Sequence, residues 1–409
     1  MITLVLSLVA SGKKQSIASQ ASQFFKTARR NGLWENAESV HPSAVTRARE
    51  KLQWITFEKL FRESVKMAYE VFPSKEKYLW KGMSVFAFDG SHYRLPGTKN
   101  IRAHFDPNAG IGSKNHGRGH YPLCLVSTVY DVFRRIPIAR TVVPRLEGNE
   151  RKEALKMLDD IPEGGVLLFD RGYPSYELFL ELNKHYDGFY VVRCPIGTTF
   201  NPVKQFVASG KNDDIIEMHP SFNYINKYSA AIAKSNPRIK LRIIRLISPT
   251  GEISVLLTNL FSEERYTKES VIDLYFKRWE VETHYRNEKT IHELEQFHSR
   301  SVNGVMQEFF AIAIMTVISQ TLVALASKSD AHGKSFIEPQ LKNTMVTLAA
   351  DAAVMSAENP TLAMTIFYEL IEDIKRIKYY RPKKSKPSQP RVSKHPVNKW
   401  RLRKSSKIY

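Results

Sequence analysis

Cysteine is nearly absent from these 409 residues, with Cys124 and Cys194 the only two. Two thiols exclude a disulfide framework, and neither sits in a short-spaced metal-ligand motif, so both read as buried thiols in a reducing, cytoplasmic compartment. Acidic residues are also scarce: 41 stand against 61 basic ones, a net charge of +20. From Lys375 to Tyr409 acids are missing altogether while 14 Lys and Arg accumulate, and prolines at 382, 387, 390 and 396 rule out a helix there. Such a tail can neutralise the phosphates of a polyanion without first ordering itself; a merely solubilising end or an anionic membrane surface are the other readings. Uninterrupted apolar runs are lacking too. The longest, Phe309 to Ala326, contains Thr316, Ser319, Gln320 and Thr321, and so reads as a core helix, not a membrane span, which needs about 20 mainly apolar residues. The opening MITLVLSLVASGKK has its basic pair after the apolar run, the reverse of a secretory signal, and reads as a strand or helix of the fold.

What is present falls into blocks. Residues 16 to about 69 carry three helical signals. SQASQFFKTARRNGLW closes at Asn31-Gly32, HPSAVTRAREKL starts after Pro42 near Ser43, and TFEKLFRESVKMAYEVF has a stripe through Phe57, Leu60, Phe61, Val65 and Met67/Ala68. In the second, Val45 and Leu52 point inward while Ser43, Thr46, Arg47, Arg49 and Lys51 are placed to face phosphates. That suits a helix-turn-helix-like bundle, and an ordinary helical cap equally. Strand signals follow at SVFAFDGSHYRLP, YPLCLVSTVYD and IPIARTVV, with a turn from Asp131 to Arg135. Then come a short helix in NERKEALKMLDDI, a buried strand Val166 to Phe169, a helix from Tyr173 to about Asn183 and the strand GFYVVRC. The order predicts a mixed sheet with helices on its faces, in an α/β fold. DIIEMHP, RIKLRIIRLI and EISVLLTNL extend it with further strands, and helices resume near Lys268.

Two aspartates, Asp89 and Asp170, each follow an apolar strand and precede Gly or Arg-Gly. Either alone is an ordinary turn residue. As a pair, held by rigid backbone at the edge of a core, they suit metal binding. The stretch YFKRWEVETHYRNEK, Tyr275 to Lys289, mixes acids, bases and aromatic rings and contains no glycine or proline. Taken as one helix at about 100° per residue, it puts Tyr275, Arg278, Trp279, Glu282, Arg286 and Lys289 on one face. Exposed i,i+4 ion pairs would explain the charges, but not the rings beside them. A helix laid on the sheet edge would bury its apolar half and carry Glu282 toward Asp89 and Asp170. Three gathered carboxylates call for hard divalent cations, Mg²⁺ or Mn²⁺, and two such ions catalyse phosphoryl transfer. The neighbouring cations supply a grip on flanking phosphates, and the aromatic rings can stack on an unpaired base.

With Tyr275, Arg278, Glu282 and Lys289 spaced as Tyr, two residues, Arg, three residues, Glu, six residues, Lys, the chain resembles the DDE transposases of insertion-sequence family four. DGSHYRLP and FDRGYPSY resemble that group's two aspartate motifs, and the likeness runs from about Ala44 to Ala326. The resemblance implies an RNase H-like catalytic domain with a β-strand insertion at about 195–260, spanning 77–326, after a helical DNA-binding domain at 1–76. It leaves C-terminal helices at 327–374 and the basic tail at 375–409. It also implies that Asp89, Asp170 and Glu282 bind catalytic Mg²⁺ and that Tyr275, Arg278 and Lys289 touch phosphates near the cut end. Trp279 would help hold an extruded base and Arg286 would add charge to the same patch. The implied partners are double-stranded DNA with terminal inverted repeats, target DNA and a second copy of the chain, with no membrane, in the bacterial cytoplasm at the nucleoid. The implied reaction is cut-and-paste transposition through a hairpin. A metal-dependent nuclease or resolvase that cuts without joining, or an inactive DNA-binding protein, are the competing readings. The histidines His92, His104, His116 and His120, around GSKNHGRGH, read as part of a basic loop, not a zinc site.

Overall fold

The computed structural model describes residues 1–10, 16–36, 38–72, 76–107, 121–197, 200–220, 238–247, 251–329, 336–337, 339–353 and 359–376, and all that follows concerns these. The glycine-rich segment with His116 and His120, and the basic tail beyond Arg376, lie outside them.

Four helices lead the chain: α1 (Ile2–Ala10), α2 (Ile17–Arg30), α3 (Pro42–Lys51) and α4 (Ile55–Val71). Ser16 caps α2 by accepting from the Ser19 amide, and Gly32, at a φ of 64° that other residues resist, follows its end. The cap of α3 is the His41 ring, which accepts from the Ser43 amide, not Ser43 itself. On α4 the buried stripe is Phe57, Phe61, Val65 and Ala68; Met67 points to solvent.

The sheet begins with β1 (Val85–Arg94), followed by α5 (Lys99–Phe105), β2 (Leu123–Asp131) and β3 (Ile136–Pro144). Asp131 shapes the β2–β3 turn by accepting from the Phe133 and Arg134 amides. Next come α6 (Glu150–Lys156), β4 (Val166–Phe169), α7 (Tyr176–His185) and β5 (Phe189–Pro195). Helix α7 starts later than Tyr173 because Pro174 precedes Ser175, whose hydroxyl caps it. A helix the sequence pattern did not announce, α8 (Asn201–Ala208), precedes β6 (Asp213–Met218), β7 (Ile239–Ile247) and β8 (Ile253–Thr258). The eight strands form one sheet in the order β3-β2-β1-β4-β5-β8-β7-β6. Strands β1, β4 and β5 are parallel and every other pairing is antiparallel. This is a mixed, RNase H-like sheet whose inserted strands lengthen one edge, with helical regions before and after it.

After the sheet lie α9 (Lys268–Phe276), α10 (Trp279–Thr290) and α11 (Val302–Ala326). Two short strands, β9 (Lys328–Ser329) and β10 (Phe336–Ile337), then precede α12 (Leu341–Ala350) and α13 (Pro360–Arg376). Helix α11 is long and apolar enough to span a membrane by composition, yet 83% of its most apolar window is buried against other parts of the chain. Its neighbours include α1, α4, α12, α13 and β3. Arg49 of α3 is part of this packing and does not face phosphates: it is buried, pairs with Glu308 at 3.0 Å, and reaches Gln307 and the Gly304 carbonyl.

The charged stretch departs from the expectation of a single helix. It is not one helix: α9 ends at Phe276 and α10 begins at Trp279, with the Arg278 amide bonding back three residues to the Tyr275 carbonyl. The tightened turn rotates the two halves relative to a continuous helix. The face of α10 that enters the core is Val281, His284, Tyr285 and Glu288. Glu288 is fully buried against Arg140 of β3 at 2.6 Å, and Tyr93 of β1 donates to it. Against the cost of burial, Arg140 and His284 hold the Glu288 carboxyl well below the usual carboxylate range. Tyr285 donates to the carbonyls of Asp89 and Val126, at 2.8 and 3.0 Å. Removing one partner of a buried ion pair leaves the other charge stranded, so Glu288→Ala should cost about 3–5 kcal/mol in urea unfolding. Pairing Arg140→Met with Glu288→Leu should recover much of that loss.

Candidate active site

The first two acids are brought together by strand register. Strands β1 and β4 run parallel with Val85 opposite Val166, Phe86 opposite Leu167 and Ala87 opposite Leu168. One step on, Phe88 and Phe169 stack at 4.4 Å, and one step further along each chain stand Asp89 and Asp170. Asp170 is at a strand end, as expected. Asp89 is not: β1 continues to Arg94, and Asp89 pairs with Thr128 of β2. Its side is open because β4 stops at Phe169, leaving β1 without its parallel neighbour there.

Glu282 arrives from α10 and meets them through Arg278. The Arg278 guanidinium lies 2.7 Å from Glu282 Oε1 and 3.9 Å from Asp170 Oδ1 through the same nitrogen. Its side chain is only 3% exposed, yet Nε and Nη1 have no hydrogen-bond partner. The Tyr275 hydroxyl lies 3.4 Å from Asp170 Oδ1. Asp89 shares this field: burial pushes its carboxyl up to about 7, Arg278 opposes the rise, and Glu282 and Glu150 add to it.

The remaining expected residues divide. Lys289 is half-buried and donates to Ser91 Oγ and the His92 carbonyl, each at 2.7 Å, with its ammonium 4.4 Å from the Tyr93 ring. Trp279, expected on the buried half of the stretch, is exposed at 39%, with Arg278 5.6 Å from its ring. Arg286 and Arg47 are exposed. Glu150, the first residue of α6, was not singled out from the sequence. An acid in a first helical turn after an Asn cap reads as ordinary helix chemistry, and only the fold reveals what it faces.

The donors are hard carboxylate oxygens, the chemistry that suits Mg²⁺ or Mn²⁺. Among the described residues no three His, Cys, Asp or Glu side chains are gathered closely enough to hold a metal ion. Here Arg278, set between Asp170 and Glu282, does the charge compensation. The donor set therefore fits a hard divalent cation in kind, while its present spacing is that of an arginine-bridged site.

Fold and site together define an RNase H-like α/β protein with acids placed just past the parallel pairing of its central strands β1 and β4. The chain belongs to the transposase DDE domain family, which matches residues 80–318. It is similar to the transposase InsG for insertion sequence element IS4 of Escherichia coli K-12, with 22% identity over 289 residues. That match takes in 68% of this chain and 60% of InsG. It is 29% identical over 145 residues to InsZ of the same organism, covering 35% of this chain and 46% of InsZ. The protein named for insertion sequence element IS4SA of Synechocystis is 22% identical over 181 residues, 43% of this chain and 47% of its own length. The chain thus spans less than two thirds of the length of each of these relatives. A solved structure, the piggyBac transposase synaptic complex with hairpin DNA, aligns over 94% of this chain and 87% of its own. Its TM-score of 0.39 and 10% identity are too low to bear on fold or function.

The Asp89 value has a consequence for stability. Folding raises the carboxyl from 3.8 to about 7, so the metal-free fold retains a proton that the unfolded chain releases. Stability should therefore fall as pH rises between those values and level off above them. Asp89→Asn should remove the dependence: in chelator, the variant should melt above the parent at about pH 8 and level with it near pH 3. Equal melting at the higher pH would show that Asp89 carries no such strain.

Proposed function

We propose that this chain is a DNA transposase of the IS4 group carrying the Tyr-Arg-Glu-Lys signature at Tyr275, Arg278, Glu282 and Lys289, and that it moves an insertion sequence by cut-and-paste. The observation that carries the reading is the arginine bridge from Asp170 to Glu282 beside Asp89, in a chain of the transposase DDE family. Asp89, Asp170 and Glu282 are the residues that would hold two Mg²⁺ or Mn²⁺ ions. Bound there, such ions activate a water or a 3′-hydroxyl and stabilise the leaving oxygen of a phosphodiester.

The protein's own part is positioning and charge. Tyr285 anchors the Asp89 backbone, and Tyr275 and Arg278 steady Asp170. Arg278 would contact a DNA phosphate near the cut end, with Nε and Nη1, buried in this structure, as its spare donors. Lys289 brings a cation to β1 beside the site. Trp279 offers an exposed ring for an unstacked base, with the Arg278 guanidinium 5.6 Å from it, and Arg286 adds an exposed charge. The first 76 residues would read the terminal inverted repeats, with exposed Arg47, not Arg49, on the DNA side. The strands within 195–260 form the insertion of a catalytic domain spanning 77–326, and the helices of 327–374 and the basic tail follow it. The working assembly is a homodimer on paired ends and a target duplex, acting through a DNA hairpin at the nucleoid in the bacterial cytoplasm.

The test is a labelled duplex bearing the element's own inverted repeat, incubated with the chain, Mg²⁺ and a target plasmid. Joined product is expected; cut ends with no joining would mark a nuclease and overturn transposition. Glu282→Gln should abolish cutting and joining by at least about a thousandfold, as expected for loss of a group serving the transition state, while repeat binding in a gel shift stays intact.

A further inference from the structure

We propose that the protein carries a phosphate-binding pocket at the β2–β3 turn, lined by Lys77, Arg134, Arg135 and Lys277. This goes beyond the functional reading: it uses none of the acids of the candidate active site and stands whatever reaction they serve. The pocket has a volume of about 170 Å³, roughly ten times the least space one water needs. Its four cations face a single lining acid, Glu280. Phe133 and Val323 add apolar wall, which keeps water from screening those charges.

Each cation is brought there by a different part of the fold. Arg134 reaches Asp131 and Ser84 through Nη1, at 2.9 and 3.2 Å, while its Nε is buried without a hydrogen-bond partner. Asp131 is already taken up by that pair, by the Tyr69 hydroxyl and by two turn amides. The Lys77 ammonium is also buried, 4.6 Å from the Tyr78 ring, and the Arg134 guanidinium lies 5.9 Å from the same ring. Two like charges gathered on one ring repel, and an anion between them relieves this. Arg135 holds a left-handed φ of 59°, which glycine or asparagine adopts at less cost, and its Nε is 3.9 Å from Glu280. Lys277 comes from the tightened turn between α9 and α10, where its amide bonds to the Leu274 carbonyl and its own carbonyl accepts from Glu280. Residues three apart eclipse in such a turn. Lys277 and Glu280 therefore share the side toward the pocket, while Tyr275 and Arg278 share the side toward Asp170. Set against Glu280 and Asp131, the four cations leave two positive charges in excess, the complement of a phosphate dianion. Arginine forks suit its oxygens. A free phosphate and a backbone phosphate of DNA present the same chemistry.

The test is calorimetric titration of the full chain with inorganic phosphate at about pH 8, at an ionic strength held constant with chloride. The parent should bind saturably, and Arg135→Asn combined with Lys277→Gln should bind at least about tenfold more weakly, as for loss of a charged hydrogen bond. Both side chains are largely exposed, so the fold should survive, as circular dichroism would show. Should the pair not fold, Lys277→Gln alone decides by the same criterion. Lys66→Gln with Lys204→Gln, an equal loss of charge at exposed positions elsewhere, should bind as the parent does. The proposal is overturned if the parent shows no saturable binding, if the Arg135 and Lys277 variant binds within about twofold of it, or if acetate binds as tightly as phosphate. A random-sequence duplex tells the two sources apart. For a backbone phosphate, the same two substitutions should lower the salt slope of duplex binding by about one. An unchanged slope beside weakened phosphate binding assigns the pocket to a free phosphate.

Discussion

The buried ion pair between Arg140 and Glu288 is the constraint on which the site depends. It is fully enclosed, at 2.6 Å, and joins a sheet strand to the helix carrying Glu282. A charge pair so enclosed has no water to fall back on, so α10 cannot roll or slide on the sheet without exposing a stranded charge. Tyr93 and His284 complete the shell, and Tyr285 adds bonds to the backbones of β1 and β2. The outcome is that one turn of α10, at Glu282, is held at a set height over the place where β4 ends beside β1. Strand register sets Asp89 and Asp170 on adjacent strands, and this latch positions Glu282, which Arg278 bridges to Asp170.

At that height the electrostatics are deliberately unbalanced in the acidic direction. Asp89, Asp170, Glu150 and Glu282 share one field, and Arg278 is the cation seated among them. The Asp89 carboxyl, lifted to about 7, records the unrelieved part. Like-charged carboxylates at the end of a rigid sheet cannot move apart as surface side chains would, so the strain persists until counter-charge arrives. The break between α9 and α10 serves the same arrangement. At that break Arg278 is buried and Trp279, the next residue, is exposed.

Much of this was readable in the residues. Apolar runs fixed the strands, because a buried β segment needs little more than consecutive large side chains and a turn. The two aspartate motifs and the spacing from Tyr275 to Lys289 pointed to the site. Two kinds of signal misled. Arg49 looked like a surface base on an amphipathic helix, but Glu308 lies 259 positions away and sequence spacing cannot show such a pairing. The charged stretch was legible only as a continuous helix, since no glycine or proline marks the tightened turn at Arg278.

The sequence by itself determined the mixed α/β class and most of the element order, and it nominated three acids, since these follow from local pattern and motif. Only the tertiary structure decided that β1 runs on past Asp89, that Arg278 sits between Asp170 and Glu282, and that Glu150 faces the aspartates. Those facts are distances between parts of the chain far apart in sequence, and they are set by strand register and by one buried ion pair, neither of which leaves a local trace.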